Sequence, residues 1–522
     1  MSHCIWNLTR FVAVATLLAG LAIAHPIQAA TRVVVLSGDA APDGNGFFAG
    51  RRFVFSSSVL NDAGQVAFYA SLGGTSGGST DDTGIFRGDG LTLSQIVRAG
   101  QAAPGGNDDF SSFSNSSSFP SIVLNDAGQV AFFSRLTATS SGVDPDRGIF
   151  LGDGATLSQI VRNGQATPEG TGSFTTFSNP VLNNVGEVAF QGSVFVNTSI
   201  LRSDETTLTQ IARKGQTVPD GNGTFSFLGD PALNNMGQVA SIALLTGTSG
   251  APTDDTGIFR GDGTTLTQIV RKGQTAPDGN GSFALFNSLL GSPALNDAGQ
   301  VAFLSSLNDT TGGTADNTGI FRGDGTTLVQ LARTGQPAPG GNGNFSILQF
   351  PALNNLGQAA FLANLTNTSG GLFDNSGIFL GDGTSLTQIA RAGQATPGGN
   401  GNFFSFGDPA MNDAGQVVFS ASSIGSTING GIYLHDDSLG LIPLAQVGDP
   451  FLGSTISQVG FSSGGHFGDE QSGLNERGQV AYTFSLLDGR SGIALWSPIP
   501  EPSSEVLLYL SAMALSIRRL KR

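Results

Sequence analysis

Leu295-Asn296-Asp297-Ala298-Gly299-Gln300-Val301-Ala302-Phe303 is the stretch that decides the fold. Near copies of it, each with Asn-x-x-Gly after Leu or Met, occur eight times, with the Asn at Asn61, Asn125, Asn183, Asn234, Asn296, Asn354, Asn412 and Asn475. Successive copies lie 64, 58, 51, 62, 58, 58 and 63 residues apart, a period that points to a solenoid or a propeller. Asn and Asp bond their own backbone and tolerate left-handed geometry, and Gly supplies a positive φ at no steric cost. The motif therefore predicts a tight hairpin turn. The run after it, Gln300 to Leu304, is apolar on both faces, as expected of a strand covered on two sides.

Working outward, Phe283-Ala284-Leu285-Phe286 opens the unit as a first strand, and Pro293-Ala294-Leu295 leads out of it. Proline belongs at a strand end or edge. After the motif strand, a polar loop over residues 308–318 leads to a third strand, Gly319-Ile320-Phe321-Arg322. Gly323-Asp324-Gly325 makes a turn, Leu328 to Arg333 returns as a fourth strand, and the breaker-rich stretch 335–343 ends the unit as a loop. Four short strands with tight turns make an antiparallel meander.

The ends of the chain complement each other. Val33 to Pro42 resembles a fourth strand with its loop, as at Ile269 to Pro277, and lacks the first three strands. Gly492 to Trp496 is a third strand without a fourth. A propeller closes its ring by such a join and removes its exposed edge, whereas a solenoid needs polar capping repeats. The expected fold is all-β: an eight-bladed β-propeller of four-stranded antiparallel blades, with the N-terminal strand closing the last blade. The alternative is seven blades plus an irregular module. Two units depart from the pattern: the one after Asn183, whose third strand reads Ser199-Ile200-Leu201, and the last, with residues 460–473 before Leu474-Asn475.

Composition supports a folded, exported chain. Apolar residues make up 39%, Phe alone contributes 37, charged residues are 12%, and the 76 Gly fall at fixed turn positions. Disorder is excluded on that ground. Arg10, the apolar run 11–24 and the small residues at 27–30 read as a secretory signal peptide. Cys4, the only cysteine, lies inside it, so the mature chain has neither disulfide nor thiolate chemistry. The formal charge is −15, or −16 once Arg10 is removed, which excludes nucleic acid and an anionic membrane surface as partners.

Pro500-Glu501-Pro502, the apolar stretch 506–517 and the basic cluster 518–522 stand in that order at the C-terminus. They resemble the PEP-CTERM sorting signal of bacterial surface proteins, which implies an exosortase-type processing enzyme as partner and only transient membrane contact through the tail. The repeat itself, carried by Asn296, Gly299, Ala302 and Phe303 and by Asn61, Gly64, Ala67 and Phe68, resembles the bacterial tandem-repeat family named for its NxxGxxAF or NxxGxxVxF motif. That resemblance implies an exported, surface-anchored protein and no particular activity. The domains expected are a signal peptide over 1–30, the repeat propeller over 31–497 and the sorting tail over 498–522.

Candidate chemistry is sparse. His435 and His466 lie in different units, and a triad of His466, Asp469 and a serine is conceivable but singles out no serine, because serine is abundant. Calcium is considered at Asp81-Asp82, Asp144 and Asp146, Asp254-Asp255, Asp316-Asn317 and Asp374-Asn375, but none has the spacing of a calcium loop. Asx turns account for them. Arg-Gly-Asp at 87–89, 260–262 and 322–324 is the hairpin turn, since Leu replaces Arg in sister units. The expectation is thus no catalytic residue, no metal ligand and no cofactor: a non-enzymatic surface or matrix interaction module, binding extracellular polysaccharide or surface proteins through its variable loops. The alternative is an extracellular polysaccharide-active hydrolase or lyase with carboxylates at the propeller channel.

Overall fold

In a computed structural model, residues 30–49, 55–105, 108–114, 122–137, 146–170, 172–286, 293–399, 401–425, 428–464 and 472–498 are described. The proposed signal peptide, the Pro500-Glu501-Pro502 motif, Asp144 and the His466–Asp469 segment lie outside them.

The fifth blade shows how the repeat makes a unit. Its second strand, Val301–Asn308, pairs with the third, Thr318–Gly323, and that pairs with the outer strand, Leu328–Arg333. The inner strand is split into Ser282–Phe286 and Ala294–Leu295, and both pieces pair with Val301–Asn308. This corrects the expectation that Pro293-Ala294-Leu295 merely leads away: Ala294 and Leu295 stand opposite Ala302 and Val301. Proline, without an N–H, sits just before the paired segment, where no ladder bond is lost.

Val301, Ala302, Phe303 and Leu304 are all buried. The second strand is covered on both faces because the core lies between blades. One apolar cluster joins Ile258, Ile269 and Val270 of the fourth blade to Phe283, Val301, Phe303 and Phe321 of the fifth. Within it Phe283 meets Phe321 edge-on at 4.9 Å, and Phe303 stacks on Phe321 at 5.9 Å. Edge-on and offset contacts suit the aromatic quadrupole. The same three-ring arrangement recurs in Phe48, Phe68 and Phe86, and in Phe403, Phe419 and Tyr433.

Eight such sheets follow one another around the ring. In the eighth the strand order is Ser454–Gly460, Val480–Leu486, Ser491–Ser497 and then Ala30–Leu36. The N-terminal strand completes the last blade, as its sequence predicts. The join is held by Ser37 N–H on the Ser491 carbonyl at 2.7 Å and by Ser491 N–H on the Ser37 hydroxyl at 3.0 Å. The ring body is Val33–Leu495. In the irregular third blade, Phe195 and Val196 alone connect Val188–Val194 to Asn197–Ser203, with Phe195 at a φ of 54°.

Candidate active site at the channel mouth

Each motif Asn is buried and fully used. Asn296 Oδ1 accepts the Gln300 N–H at 2.8 Å, and its Nδ2 donates to Gln300 Oε1 at 3.0 Å. The same Nδ2 also donates to the Asn354 carbonyl of the next blade at 2.9 Å. Asn61 does this to Asn125, Asn125 to Asn183, Asn183 to Asn234 and Asn234 to Asn296. Asn354 donates to Asn412, Asn412 to Asn475, and Asn475 to Asn61. Eight asparagines thereby close a hydrogen-bonded ring around the axis at 2.9 to 3.3 Å. The φ of +74° at Gly299 favours glycine here, and an added Cβ would also displace the ends of the Gln238 and Arg260 side chains.

The residue after each Asn forms a second ring. Asp62 N–H donates to Asp126 Oδ1, Asp126 to Asn184, Asn184 to Asn235 and Asn235 to Asp297. Asp297 donates to Asn355, Asn355 to Asp413, Asp413 to Glu476 Oε2, and Glu476 back to Asp62 Oδ1. These bonds run from 2.7 to 3.0 Å. Each position needs a short side chain with an acceptor oxygen, which is why only Asp, Asn and Glu occupy it.

The whole second ring, with Asn61, Asn354 and Asn475 of the first, lines a cavity of about 290 Å³, together with Pro293, Phe350, Pro351, Asp408, Pro409 and Met411. The ring is not uniform in charge. Asp413, Glu476, Asp62 and Asp126 are consecutive carboxylates on four neighbouring blades. Asp297 stands apart, and its Oδ2 accepts the side-chain amides of Asn235 at 3.0 Å and Asn355 at 3.4 Å. In the acidic arc like charges face one another. Glu476 is exposed at its surface, yet its pKa is pushed up to about 7, first by partial desolvation and then by Asp413, Asp62 and Asp126, against the lowering bond from Asp413 N–H. Asp62 is raised as well, chiefly by desolvation, while Arg477 opposes the rise. Asp230, in the break of the fourth blade's inner strand, is raised by burial alone.

The positions singled out in the sequence fall elsewhere. His435 is the last residue but one of the third strand of the seventh blade, Ile428–Asp436, in register with Val417 and Leu441, and does not line the cavity. The considered calcium loops hold their carboxylates internally: Asp81 accepts Asn45 Nδ2 at 2.8 Å, Asp254 accepts Asn222 Nδ2 at 2.9 Å, and Asp316 accepts Asn280 Nδ2 at 2.9 Å. The hydroxyls of Thr248 and Thr310 are the main cause that holds Asp254 and Asp316 below the usual carboxylate range. Asp146 pairs with Arg162. Arg-Gly-Asp is the expected turn, with Asp324 accepting the N–H groups of Thr326 and Thr327 at 2.7 Å. Its arginine has a second use: Arg322 Nη1 donates to the Gly357 carbonyl of the next blade, as Arg87 does to Gly128.

Sequence reasoning placed any site in the variable loops, whereas the repeated motif itself builds the channel mouth. The signal was present in the residue after each motif Asn, which is always Asp, Asn or Glu. Turn preference explains the same choice, so the ring was not visible from spacing alone.

The fold is similar to solved propellers at low identity. Oligogalacturonate lyase in complex with manganese shares 13% identity at a TM-score of 0.37, with 73% of this chain and 90% of that one covered. The β-propeller domain of the Trilobed protease from Pyrococcus furiosus shares 9% at 0.39, covering 76% and 99%. Trypanosoma rangeli sialidase shares 11% at 0.27, covering 80% and 59%. Comparison with curated protein sequences finds no match. The expectation of a non-enzymatic chain is corrected on this chain's own residues: the second ring gathers four adjacent carboxylates, Asp413, Glu476, Asp62 and Asp126, with Glu476 pushed up to about 7. The likeness is one of fold, and the chemistry is argued from this chain's own residues. Three overlapping stretches, residues 16–153, 115–262 and 241–506, match one family, and the chain belongs to it: the family of unknown function DUF7453.

Proposed function

We propose that this protein is an exported, polysaccharide-active hydrolase whose site is the acidic arc at the channel mouth. The observation that carries this reading is Glu476, a carboxyl with a pKa of about 7 beside the raised Asp62 and next to Asp413 on the ring. Glycoside hydrolysis uses one carboxyl as acid and a second as base or nucleophile, and an acid works best with a pKa near the working pH. Glu476 protonates the leaving glycosidic oxygen. Asp62, whose rise is opposed by the Glu476 N–H and then by Arg477, serves as the base: it takes a proton from the water whose hydroxyl bonds to the anomeric carbon as the glycosidic C–O bond breaks.

Hydrolysis is favoured over elimination from a uronate. The described lining is acidic and holds no Lys, Arg or His, which suits catalysis by a pair of carboxylates. The proposal includes the address: residues 1–30 direct export, and Pro500-Glu501-Pro502 hands the chain to an exosortase-type enzyme at the bacterial cell surface or extracellular matrix. A panel of purified polysaccharides, assayed for release of reducing ends, tests the activity. Release that falls about a hundredfold or more in Glu476→Gln supports it. Release that survives this substitution, or no release from any substrate, overturns it.

A further inference from the structure

We infer that the seam between blades two and three, at the rim opposite the acidic mouth, binds the carboxylate groups of an acidic glycan. This goes beyond the cleavage proposed above and does not rest on it. The starting point is the trimmed third blade. Phe195 and Val196 alone connect its second and third strands, where residues 247–255 make the same connection in blade four. Phe195 holds a φ of 54°, a conformation that bulky side chains rarely adopt. The two side chains are 84% and 74% exposed, so packing accounts for neither residue.

Trimming the loop also releases a cation. In blades one, four and five the arginine that ends the outer strand is buried. It donates to a carbonyl of that same loop and pairs with a carboxylate of the loop entering the blade: Arg98 with Asp81 and Asp43, Arg271 with Asp254 and Asp220, Arg333 with Asp316 and Asp278. Arg213 holds this place in blade three, lacks the loop and is exposed. Glu169 stands where Asp43 and Asp220 stand, but the Arg213 guanidinium reaches the Lys214 carbonyl instead, at 3.5 Å. Lys214 Nζ in turn donates to the Val196 carbonyl at 3.0 Å. Two cations and two exposed apolar side chains thus form one patch, in a chain of formal charge −15.

The facing wall of the seam supplies a second, independent observation. Arg135 and Arg147 of blade two stand directly opposite each other, where sister blades pair Ser71 with Thr83 and Ser306 with Thr318. Like charges so placed are destabilising, and Arg147 Nε is buried with no hydrogen-bond partner among the described residues. Both arginines share the strand face of Ala131, Ile149 and Leu151, which pack against blade three. Arg213 shares the face of Ser199 and Leu201, which is turned to blade two. Three arginines therefore turn to one seam at a cost in stability, and that suits an anionic ligand. A planar guanidinium takes a carboxylate through two parallel N–H bonds. The negative face of an exposed phenyl ring takes the C–H face of a sugar. A uronate carries both groups on one ring. A flat anionic bilayer fits less well, because the two-residue turn is shorter than the neighbouring loop over 247–255.

Calorimetry on the full chain at neutral pH tests this with a mannuronate hexamer, a neutral mannose hexamer, hexaglutamate and vesicles containing phosphatidylserine. The mannuronate hexamer is expected to bind about tenfold tighter, or more, than the mannose hexamer and hexaglutamate, and to weaken as salt is raised. Arg213→Gln with Lys214→Gln is expected to weaken it about tenfold or more. Arg477→Gln removes an exposed cation beside the mouth and is expected to leave binding unchanged. Arg147→Thr ends the like-charge pair and Phe195→Gly relieves the turn, so neither is expected to lower the melting temperature, while each weakens binding several-fold. Unchanged binding in those two variants would make the residues structural only and overturn the inference. No mannuronate binding overturns it too, as does equal or tighter binding of the mannose hexamer or hexaglutamate. So does an equal loss in Arg477→Gln, or vesicle capture that is lost in Arg213→Gln with Lys214→Gln.

Discussion

Asn475 Nδ2 donates to the carbonyl of Asn61 at 2.9 Å across a separation of 414 residues. This bond turns a row of eight repeats into a closed ring at the channel mouth, next to the place where the two ends of the chain share a blade. Glu476 repeats the closure one residue on, through its N–H to Asp62 Oδ1 at 2.8 Å.

Asn475→Ala is expected to destabilise the protein by roughly 3 kcal/mol. Asn475 is buried and also bonds Gln479 through both ends of its amide, so several buried groups lose partners at about 1 kcal/mol or more each. Urea unfolding followed by circular dichroism measures it. A change under 1 kcal/mol would mean that the ring contributes little.

Removing Thr31–Pro42 leaves the third strand of the eighth blade with an unpaired edge. The truncated chain is expected to lose cooperative unfolding or to aggregate, because an exposed central edge templates association. A melting profile unchanged from the full chain would contradict the shared blade.

Stability is expected to fall as pH rises from 5 to 8. The folded pKa of Glu476, about 7, lies above its ordinary 4.5, so the folded state holds a proton that the unfolded state releases. Its contribution is fully present below the unfolded value and is lost as pH rises through the folded one. Asp62, also raised, acts in the same direction at lower pH. Asp436, lowered to about 2 chiefly by the Ser438 hydroxyl, has the opposite sign and loses its contribution only in strong acid. Melting temperatures from pH 5 to 8 should drop in the native protein and drop less in Glu476→Gln.

Arg333→Ala is expected to cost roughly 2 to 3 kcal/mol, because the carbonyls it serves lose partners at about 1 kcal/mol or more each. Its guanidinium is almost wholly buried, donates to the Asp316 and Asn280 carbonyls and pairs with Asp278 at 2.6 Å. It thereby ties the loop entering the fifth blade to that blade's own polar loop. Chemical denaturation of Arg333→Ala beside Arg213→Ala checks it. Arg213, exposed and bonded only weakly to the Lys214 carbonyl at 3.5 Å, should cost far less.

The blade count, the four-strand meander and the shared last blade were legible because each rests on local chemistry repeated along the chain. Asn and Gly mark the turn, and Val301 to Leu304 must be covered on both faces. The site was not legible for a related reason. Asp297 at a turn and Asp297 in a ring of acceptors are the same residue to a sequence, and only the closed geometry distinguishes them. Nor does spacing reveal that Asp413, Glu476, Asp62 and Asp126 become neighbours, since the last two lie at the other end of the chain. Arg322 likewise reads as part of a turn until the next blade supplies Gly357.

The most direct measurement is the titration of Glu476 in the folded protein, followed by carbon-13 NMR of glutamate carboxyls and assigned with Glu476→Gln. The expected result is a midpoint near 7 that falls toward the ordinary glutamate value in Asp62→Asn with Asp413→Asn. A midpoint near 4.5 in the native protein, unmoved by those substitutions, would contradict an acidic arc poised for catalysis.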